Sequence, residues 1–426
     1  MIERDPPDVP ADPTSAWRDW RRPGVAQIRQ FHGFTALGRN LLRDHLPDVL
    51  DAAVGAGALQ SDLLTDLRRI DASLEPRPGD DELVMLRCRR TTLEPVLRRA
   101  ALEEPGITWT SASATGLLVD GSRVVGLRTD DGAVRGDLVV DATGRQARSS
   151  AWVRDAGVGD GVVERSPTGI VYFTRWYRRL GDHPPPGGAG ARQDLDSMRV
   201  VLFPSDDAYM SLAIMADAND PELRALRDTP TFQRVVERVP AVRRWITSDV
   251  AEPVTDVLFM GGLDDTRWDP DVDGLVAVGD AARCTNPYFA RGFALGMAQA
   301  VELASALDDA SPTDRFRSWR TANVDPWFDD AVACDRARST WLKDARGEEL
   351  TPDERRLLAD DDVRVLRALP TVTAADARAL YLFVRYVQGL GRPADLFHDA
   401  EIRAAALALE ELPPAALSRG ELLALL

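Results

Sequence analysis

Apolar and polar positions follow their clearest pattern between residues 274 and 303. The apolar run 275–278 predicts a buried strand, and Gly279-Asp280 ends it. A loop with Asn286-Pro287 follows, and after Arg291-Gly292 the apolar residues recur with the spacing of an α-helix. The pattern therefore predicts a strand, an acidic turn, a loop and a helix, in that order.

This arrangement can bind a polyhydroxylated, partly anionic ligand. The carboxylate of Asp280 can accept hydrogen bonds from sugar-alcohol hydroxyl groups. The free N–H groups at Gly292 and Phe293 offer the positive end of the helix dipole. An ordinary strand, turn and helix without a ligand is the alternative interpretation.

A second strand with a glycine at its end is predicted over residues 137–144, where Ala142-Thr143-Gly144 follows the apolar residues. Upstream, the apolar run 83–86 predicts a short strand, and the pattern Arg-x-x-Leu-Glu that begins at Arg90 opens a helix. The segment 108–132 alternates apolar and polar residues between Asp-Gly turns, which predicts a β-meander.

Residues 163–270 alternate apolar and polar positions, with charged helical segments between the alternating runs. Several strands of this kind, inserted between two parts of a parallel sheet, predict a separate substrate-facing sheet. The aromatic residues that suggest an apolar pocket in this segment are Tyr172, Phe173, Trp176 and Tyr177.

Residues 312–426 are predicted to be helical. The run 351–354, Thr-Pro-Asp-Glu, has the sequence of a capping box with proline at the first helical position. Thr373 followed by Asp376 repeats this signal before an apolar stretch. The leucine-rich tail after Pro414 predicts a surface that docks on this chain or on a second copy in a homodimer, rather than a membrane anchor.

Composition excludes several classes of protein. The 426 residues include 44% hydrophobic and 28% charged side chains, which is ordinary for a soluble globular protein. A net charge of −16 argues against nucleic acid or an anionic membrane as a partner. The cysteines and histidines show no disulfide or metal-ligand spacing. No apolar run approaches the ~20 residues of a membrane span, and no signal peptide is recognisable. We therefore predict a cytoplasmic protein without a metal site or a membrane span.

The motifs Gly-Asp-Ala-Ala, Asn-Pro and Arg-Gly, together with the strand that ends in Ala-Thr-Gly, resemble those of FAD-dependent monooxygenases of the aromatic-hydroxylase type. The resemblance covers about residues 1–305. It implies an α/β fold with a split, Rossmann-like FAD/NAD(P)-binding domain, an inserted antiparallel β-sheet substrate domain and a helical C-terminal region. The domain ranges are then 1–162 and 271–311 for the FAD-binding domain, 163–270 for the substrate domain and 312–426 for the helical cap.

The resemblance also implies the cofactor contacts. Asp280 is expected to hold the ribityl chain, and the helix start is expected to face the flavin pyrimidine edge. Arg29, near His32, and Arg90 lie in segments that pass close to the cofactor in relatives, although a solvated arginine is the alternative for each. No catalytic side chain is assigned. The predicted FAD-binding residues are Glu3, Arg29, Arg90, Thr143, Gly144, Gly279, Asp280, Pro287, Gly292 and Phe293.

Glu3 stands where the acid that binds the adenosine ribose is expected. A dinucleotide-binding unit places a strand, a G-x-G-x-x-G turn and a helix ahead of that acid, within ~30 residues. Gly55-Ala56-Gly57 is better explained as a helix C-cap, and the glycine-rich stretch 187–190 as a loop. We therefore expect the first βαβ segment to be missing from this sequence, and an extension that supplies it to increase FAD binding. A protein that dispenses with the segment is the alternative.

The reaction that the resemblance implies is single-component monooxygenation. NAD(P)H docks transiently and reduces FAD, molecular oxygen adds to the reduced flavin, and the flavin hydroperoxide hydroxylates or epoxidises an apolar or aromatic small molecule. Relatives often carry histidine at the position of Arg283, so the surroundings of the isoalloxazine ring stay open.

Three other functions are weighed against this one. A double-bond reductase that resembles the geranylgeranyl reductases is the alternative enzyme, and a non-catalytic remnant that binds a partner or ligand without flavin is the alternative class. A flavin-dependent halogenase is disfavoured, because its catalytic lysine should fall early in the chain and Lys343 is the only lysine.

Overall fold

The computed structural model describes residues 1–25, 27–70, 72, 74–75, 77–183, 186–187 and 191–426, with the backbone alone at residues 69 and 70. Residues 188–190 of the predicted glycine-rich loop therefore lie outside the described residues. In the part of the chain that is described, no helix has both the length and the apolar character needed to cross a membrane. The fold is mixed α/β, as predicted.

The N-terminal elements combine short strands with helices. Their bounds are β1 Ile2–Glu3, α1 Pro13–Asp19, α2 Ala36–His45, α3 Pro47–Gly55, β2 Leu59–Asp62, α4 Leu63–Ile70, β3 Val84–Arg87, α5 Arg90–Glu103, β4 Thr110–Ser111, β5 Ala114–Asp120, β6 Arg123–Thr129, β7 Gly132–Arg135, β8 Val139–Asp141 and α6 Arg148–Asp155.

The middle of the chain is mostly β-structure and leads into a long helix. Its elements are β9 Glu164–Pro167, β10 Ile170–Arg179, β11 Ala191–Asp194, β12 Met198–Pro204, β13 Tyr209–Asp217, α7 Thr229–Val236, α8 Pro240–Arg243, β14 Ala251–Pro253, β15 Leu258–Met260, β16 Asp264–Arg267, β17 Leu275–Ala277, β18 Arg283–Cys284 and α9 Gly292–Ala306. The helices that follow are α10 Pro312–Asn323, α11 Asp325–Ala345, α12 Pro352–Ala359, α13 Asp361–Ala375, α14 Ala377–Val387, α15 Pro393–Phe397, α16 Ala400–Leu407 and α17 Arg419–Leu423.

The parallel strands form two separate pairs. β1 pairs with β4, so that Ile2 lies opposite Thr110, and β8 pairs with β17, so that Val139 lies opposite Leu275. β5, β6 and β7 form an antiparallel sheet. The predicted meander is therefore confirmed for β5 and β6 and wrong for β4. The chain enters β4 from helix α5, and such a helical crossover is the connection that parallel pairing requires.

The sheet predicted to face the substrate, called the substrate sheet below, has the strand order β11-β12-β13-β10-β14, with β15 also paired to β10. Side chains of β10 alternate between its two faces. On one face, Thr174 donates to the side chain of Gln30 at 2.8 Å, and the indole N–H of Trp176 donates to the carbonyl oxygen of Arg29. On the other face, Phe173 and Tyr177 pack into the core that includes α7. The first face is therefore the one turned toward the N-terminal elements.

The C-terminal helices cover both other parts of the chain. Residues of α13, α14 and α16 pack with Leu295 of α9 in one apolar core. The last helix, α17, returns to the substrate sheet, where Leu422 is fully buried and Arg419 forms an ion pair with Asp220 at 2.8 Å. The predicted docking of the leucine-rich tail is thus observed within the chain.

The two predicted helix starts have different outcomes. The capping box of α12 is confirmed, because Thr351 and Glu354 cap each other's backbone N–H groups. The signal at Thr373 is wrong, since this residue lies inside α13. Asp376 instead caps α14 by accepting from the N–H of Ala379 at 3.0 Å. The extended backbone at Asp376, with φ −133° and ψ 115°, is what separates the two helices.

Candidate functional site

Two of the predicted motifs meet at one edge of the structure. Strands β8 and β17 run in parallel, with Asp141 opposite Ala277, so their carboxyl ends lie side by side. Each continues into a 3-10 turn, Gly144–Gln146 after β8 and Gly279–Ala281 after β17, and the two turns are in contact. The structure therefore brings Thr143 and Gly144 beside Gly279 and Asp280.

The turn after β17 also lies against helix α9. Gly279 has φ +58°, and a Cβ there would lie 3.9 Å from the Cα of Gly296. A Cβ on Gly292 would lie 3.6 Å from Oδ1 of Asp280. No side chain caps the first turn of α9 within the described residues, so its free N–H groups face the same region as the Asp280 carboxylate.

The carboxylate of Asp280 is half-buried and makes no hydrogen bond or ion pair with any residue that the structure describes. Burial raises the pKa of Asp280, and the nearby positive charges of Arg90 and Arg145 act in the opposite direction. A half-buried acceptor without a donor, beside uncapped helix N–H groups, fits a ligand with hydroxyl groups and an electron-rich edge. These residues fit the ribityl chain and pyrimidine edge of FAD.

Charged side chains connect this site to the N-terminus. Arg90 opens α5 and lies 3.3 Å from Glu94, which also pairs with Arg22 at 3.0 Å. Arg22 in turn lies 3.6 Å from Glu3. The predicted residues Glu3 and Arg90 thus belong to one chain of ion pairs, and Arg90 is the member whose charge reaches Asp280.

His32 lies beside Arg90 but carries no charge at neutral pH. Burial and the charge of Arg90 lower the pKa of His32 to about 3. Its Nδ1 lies 2.9 Å from the carbonyl oxygen of Gln30, which places the ring proton on Nδ1. The imidazole is therefore a neutral neighbour of the site.

Three further predicted residues have clear positions. Arg29 donates to the carbonyl of Trp17 at 2.8 Å and so caps the end of α1. Phe293 packs edge-on against Phe34, with ring centroids 5.1 Å apart. Pro287 is exposed and begins a 3-10 turn just before α9.

Arg283 and Arg291 anchor the motif to the C-terminal helices. Arg283 is buried and forms ion pairs with Asp269 and Asp325, each at 2.7 Å. Arg291 is 5% exposed, pairs with Asp330 at 2.8 Å and stacks on the ring of Tyr386. These contacts leave neither guanidinium available to a ligand, and they fix the residue that precedes Gly292.

Sequence reasoning missed a buried polar cluster around Asn286. It consists of Tyr172, Asp265, Asn286, Asp335 and Arg338, each of which is buried. One signal was present, because Asp335 recurs with Phe328, Ala331 and Cys334 on the apolar stripe of α11. The partner on β16 had no such signal, since Asp265 lies in a short strand among other polar residues.

A pocket of about 530 Å³ lies elsewhere, on the face of the substrate sheet that Tyr177 occupies. None of the predicted cofactor residues lines it. Its lining residues are Tyr177, Gln233, Glu237, Arg243, Arg244, Ile246, Thr247, Ser248, Ala251 and Pro253.

No model of a protein family matches the chain. Protein Rv3254 of Mycobacterium tuberculosis is 24% identical over an alignment of 339 residues, and the match covers 72% of this chain and 67% of that protein.

Solved structures of flavin-dependent proteins superpose on most of the chain. The flavin-dependent brominase Bmp2 has a TM-score of 0.56 at 17% identity and covers 95% of this chain and 91% of its own. PqsL of Pseudomonas aeruginosa, a probable FAD-dependent monooxygenase, was solved with 2-aminobenzoylacetate and has a TM-score of 0.56 at 15% identity over 84% of this chain and 91% of its own. HpxO of Klebsiella pneumoniae was solved with FAD and uric acid. It has a TM-score of 0.53 at 16% identity over 79% of this chain and 85% of its own. The chain therefore has the fold of the FAD-dependent monooxygenases and flavin-dependent halogenases, as its motifs predicted.

Proposed function

We propose that this chain is an FAD-dependent monooxygenase that acts on an apolar or aromatic small molecule. The observation that carries the proposal is the half-buried carboxylate of Asp280, which lacks a donor among the described residues and faces the uncapped start of α9. The shared fold supports the same assignment.

FAD, when bound, supplies the redox chemistry and the reaction with oxygen. The protein supplies contacts and charge. Asp280 accepts hydrogen bonds from ribityl hydroxyl groups, and the N–H groups of Gly292 and Phe293 stabilise negative charge on the pyrimidine edge. Thr143-Gly144 lines the same edge of the parallel pair, and Glu3 is the proposed acceptor for the adenosine ribose.

The substrate is proposed to bind between the substrate sheet and the cofactor. Tyr172 on β10 belongs to an apolar cluster that includes Phe31, Met215, Met260 and Leu263. Side chains of this kind exclude water and favour an apolar or aromatic ring. The 2-aminobenzoylacetate bound to PqsL contains an aromatic ring and is consistent with such a substrate.

Three properties stay predictions. The electron donor is NAD(P)H that docks transiently, the oligomeric state is a homodimer, and the cellular location is the cytoplasm.

A halogenase is the second candidate function, because the brominase Bmp2 shares the fold. Against it, the only lysine, Lys343, lies at the end of α11, where it pairs with Glu354 at 2.9 Å. A double-bond reductase and a flavin-free binding protein are also separated by the experiments below.

The first test is FAD binding to wild type and to Asp280→Ala. Loss of a hydrogen bond to a charged acceptor should weaken FAD binding by about 1.5–3 kcal/mol. Asp51→Ala, which removes an exposed carboxylate on α3, is the matched control and should bind FAD as the wild type does. Equal affinity for both variants would remove Asp280 from the site.

The second test is oxygen consumption by the FAD-loaded protein with NADH or NADPH and a panel of aromatic acceptors. A monooxygenase consumes oxygen and returns an oxygenated product. Product formation that requires bromide or chloride would identify a halogenase, and acceptor reduction without oxygen would identify a reductase. A chain that binds no FAD, even with an N-terminal extension that supplies the first βαβ segment, would identify a binding protein.

A further inference from the structure

Asn286 joins three parts of the structure through one buried side chain. Its Oδ1 accepts from the hydroxyl of Tyr172 on β10 at 2.6 Å. Its Nδ2 donates to both carboxylate oxygens of Asp335 on α11, at 2.9 and 2.8 Å. Its backbone N–H donates to Asp265 on β16 at 2.6 Å. Because Pro287 follows directly, these bonds fix the turn that leads to the start of α9.

Two buried carboxyl groups converge on Asn286. Asp265 is 0% exposed and Asp335 is 2% exposed, and both accept from Asn286, Asp265 from its backbone N–H and Asp335 from its side-chain amide. Oδ2 of Asp265 has no donor in the described part of the chain. A buried carboxyl oxygen without a donor fits the protonated form of the group, because a protonated carboxyl group can itself donate.

The surrounding charges lead to the same result. Arg338 is the guanidinium that contacts the pair, donating to Asp335 at 2.5 Å and to the carbonyl of Thr168 at 3.0 Å. Two ionised carboxylates against this one cation would leave a net buried negative charge, which is costly in a low-dielectric interior. One proton on the pair removes that charge.

The other titratable groups that face the pair are neutral at physiological pH. Burial raises the pKa values of Tyr172, Tyr288 and Cys284. Burial and the neighbouring Asp335 raise the pKa of Asp265, and burial raises that of Asp335. The pair and all the titratable groups that face it lie on these elements: Tyr172 on β10, Asp265 on β16, Cys284 on β18, Tyr288 on the 3-10 turn, and Asp335 and Arg338 on α11.

We propose that Asp265 and Asp335 hold one proton between them and, through Asn286, act as positioning residues for the turn Pro287–Phe289 and the start of α9. The link from this turn to the cofactor rests on the proposed function. The shared proton and the position of the turn do not.

The shared proton is tested by infrared spectroscopy at neutral pH. Asp265→Asn keeps an acceptor for the N–H of Asn286 and a donor toward Asp335, but it has no titrating proton. We expect the band of a protonated carboxylic acid in the wild type and its loss in Asp265→Asn. The adjacent Asp264→Asn is the control, because the Asp264 side chain is 41% exposed and should leave the band unchanged. A band that persists in Asp265→Asn would overturn the shared proton.

Positioning is tested by amide hydrogen exchange over residues 286–292. Asp335→Ala removes the acceptor of Asn286 and should cause a several-fold loss of protection there, whereas Asp265→Asn should retain protection. If Asp335→Ala does not fold, the wild type and Asp265→Asn are compared between about pH 6 and about pH 9, which bracket the titration of a buried carboxyl. The wild type should lose protection as the proton leaves, and Asp265→Asn should not. Equal behaviour of the compared proteins would overturn the positioning role.

FAD affinity separates this inference from the proposed function. Asp335→Ala should bind FAD more weakly, and Asp265→Asn should bind it as the wild type does. Unchanged affinity in Asp335→Ala, with protection lost, would overturn the link from the turn to the cofactor. A wild type that binds no FAD, even with an extension that supplies the first βαβ segment, would contradict the proposed function, while the infrared and exchange results still decide the proton and the turn.

Discussion

Oδ1 of Asp280 lies 3.6 Å from the position that a Cβ on Gly292 would occupy. The carboxylate and the start of α9 are therefore separated by about one van der Waals contact, and a side chain at residue 292 would fill the space between them. This relationship gives the first prediction.

Gly292→Val should lower FAD occupancy by about tenfold or more, because the branched side chain holds a ligand away from both the carboxylate and the helix N–H groups, a loss on the order of one or two hydrogen bonds. Flavin absorbance per protein after loading measures the effect. Gly55→Ala is the control, since no atom lies within 4 Å of a Cβ there. If Gly292→Val carries as much flavin as the control, α9 does not face the cofactor.

Asp280→Asn should stabilise the protein without cofactor while it weakens FAD binding. The raised pKa of Asp280 means that its contribution to stability is present at low pH and is lost as pH rises through the folded-state pKa. Asparagine does not titrate, so the advantage of the variant over wild type should grow with pH. Thermal unfolding of the two apo-proteins, from a pH below the pKa of an unfolded aspartate to a pH above the raised folded-state pKa, measures this difference in stability. A difference that stays constant with pH would contradict the prediction.

The ion pair of Arg89 and Asp206 should be a major contributor to stability. Both side chains are 1% exposed, and Arg89 makes two side-chain hydrogen bonds to Asp206, at 3.0 and 3.1 Å. Asp206→Ala leaves a buried guanidinium unpaired and should cost about 3–5 kcal/mol in the free energy of unfolding. Asp314→Ala removes an exposed partner of Arg317 and should cost about 1 kcal/mol or less. Denaturant unfolding compares them, and similar losses would refute the argument.

The same pair has a defined pH dependence. Burial alone would raise the pKa of Asp206, but the hydrogen bonds and charge of Arg89 lower it overall. Its contribution to stability is therefore present above the pKa of an unfolded aspartate and is lost as pH falls through the lowered folded-state pKa.

Leu422→Ala should destabilise the protein by about 2–5 kcal/mol, the usual range for a fully buried leucine. Leu412, which is 39% exposed, provides the control, because Leu412→Ala should have a much smaller effect. Urea unfolding of both variants is the measurement. A small effect at Leu422 would show that the tail is not a part of the core.

The sequence predicted the parts of the fold that depend on local patterns. The apolar periodicity predicts the strand before Asp280 and the helix that begins at Gly292. The spacing of Thr351 and Glu354 predicts the capping box at the start of α12. The Thr373 signal failed, because the capping pattern alone does not show whether the residue lies outside or inside a helix.

The sequence did not reveal which charged residues would be buried together. Asp265 and Asp335 are far apart in the chain, and only the packing of α11 against β16 and the Asn286 turn brings both carboxyl groups onto Asn286. Arg29 illustrates the opposite case. Its role in FAD binding stays a prediction, and its hydrogen bond to the carbonyl of Trp17 at the end of α1 is a local contact that no motif records.

The docking of α17 on the substrate sheet affects the order in which the chain folds. The side chain of Arg234 donates to the carbonyl of Leu425, a contact that spans 191 residues. During synthesis, the strands of this sheet leave the ribosome long before Leu422 does, so their outer core stays incomplete until the tail arrives. Contacts of such long range slow folding and expose apolar surface in the interval. Nascent chains stalled before residue 417 should therefore depend on chaperones more than chains released after it.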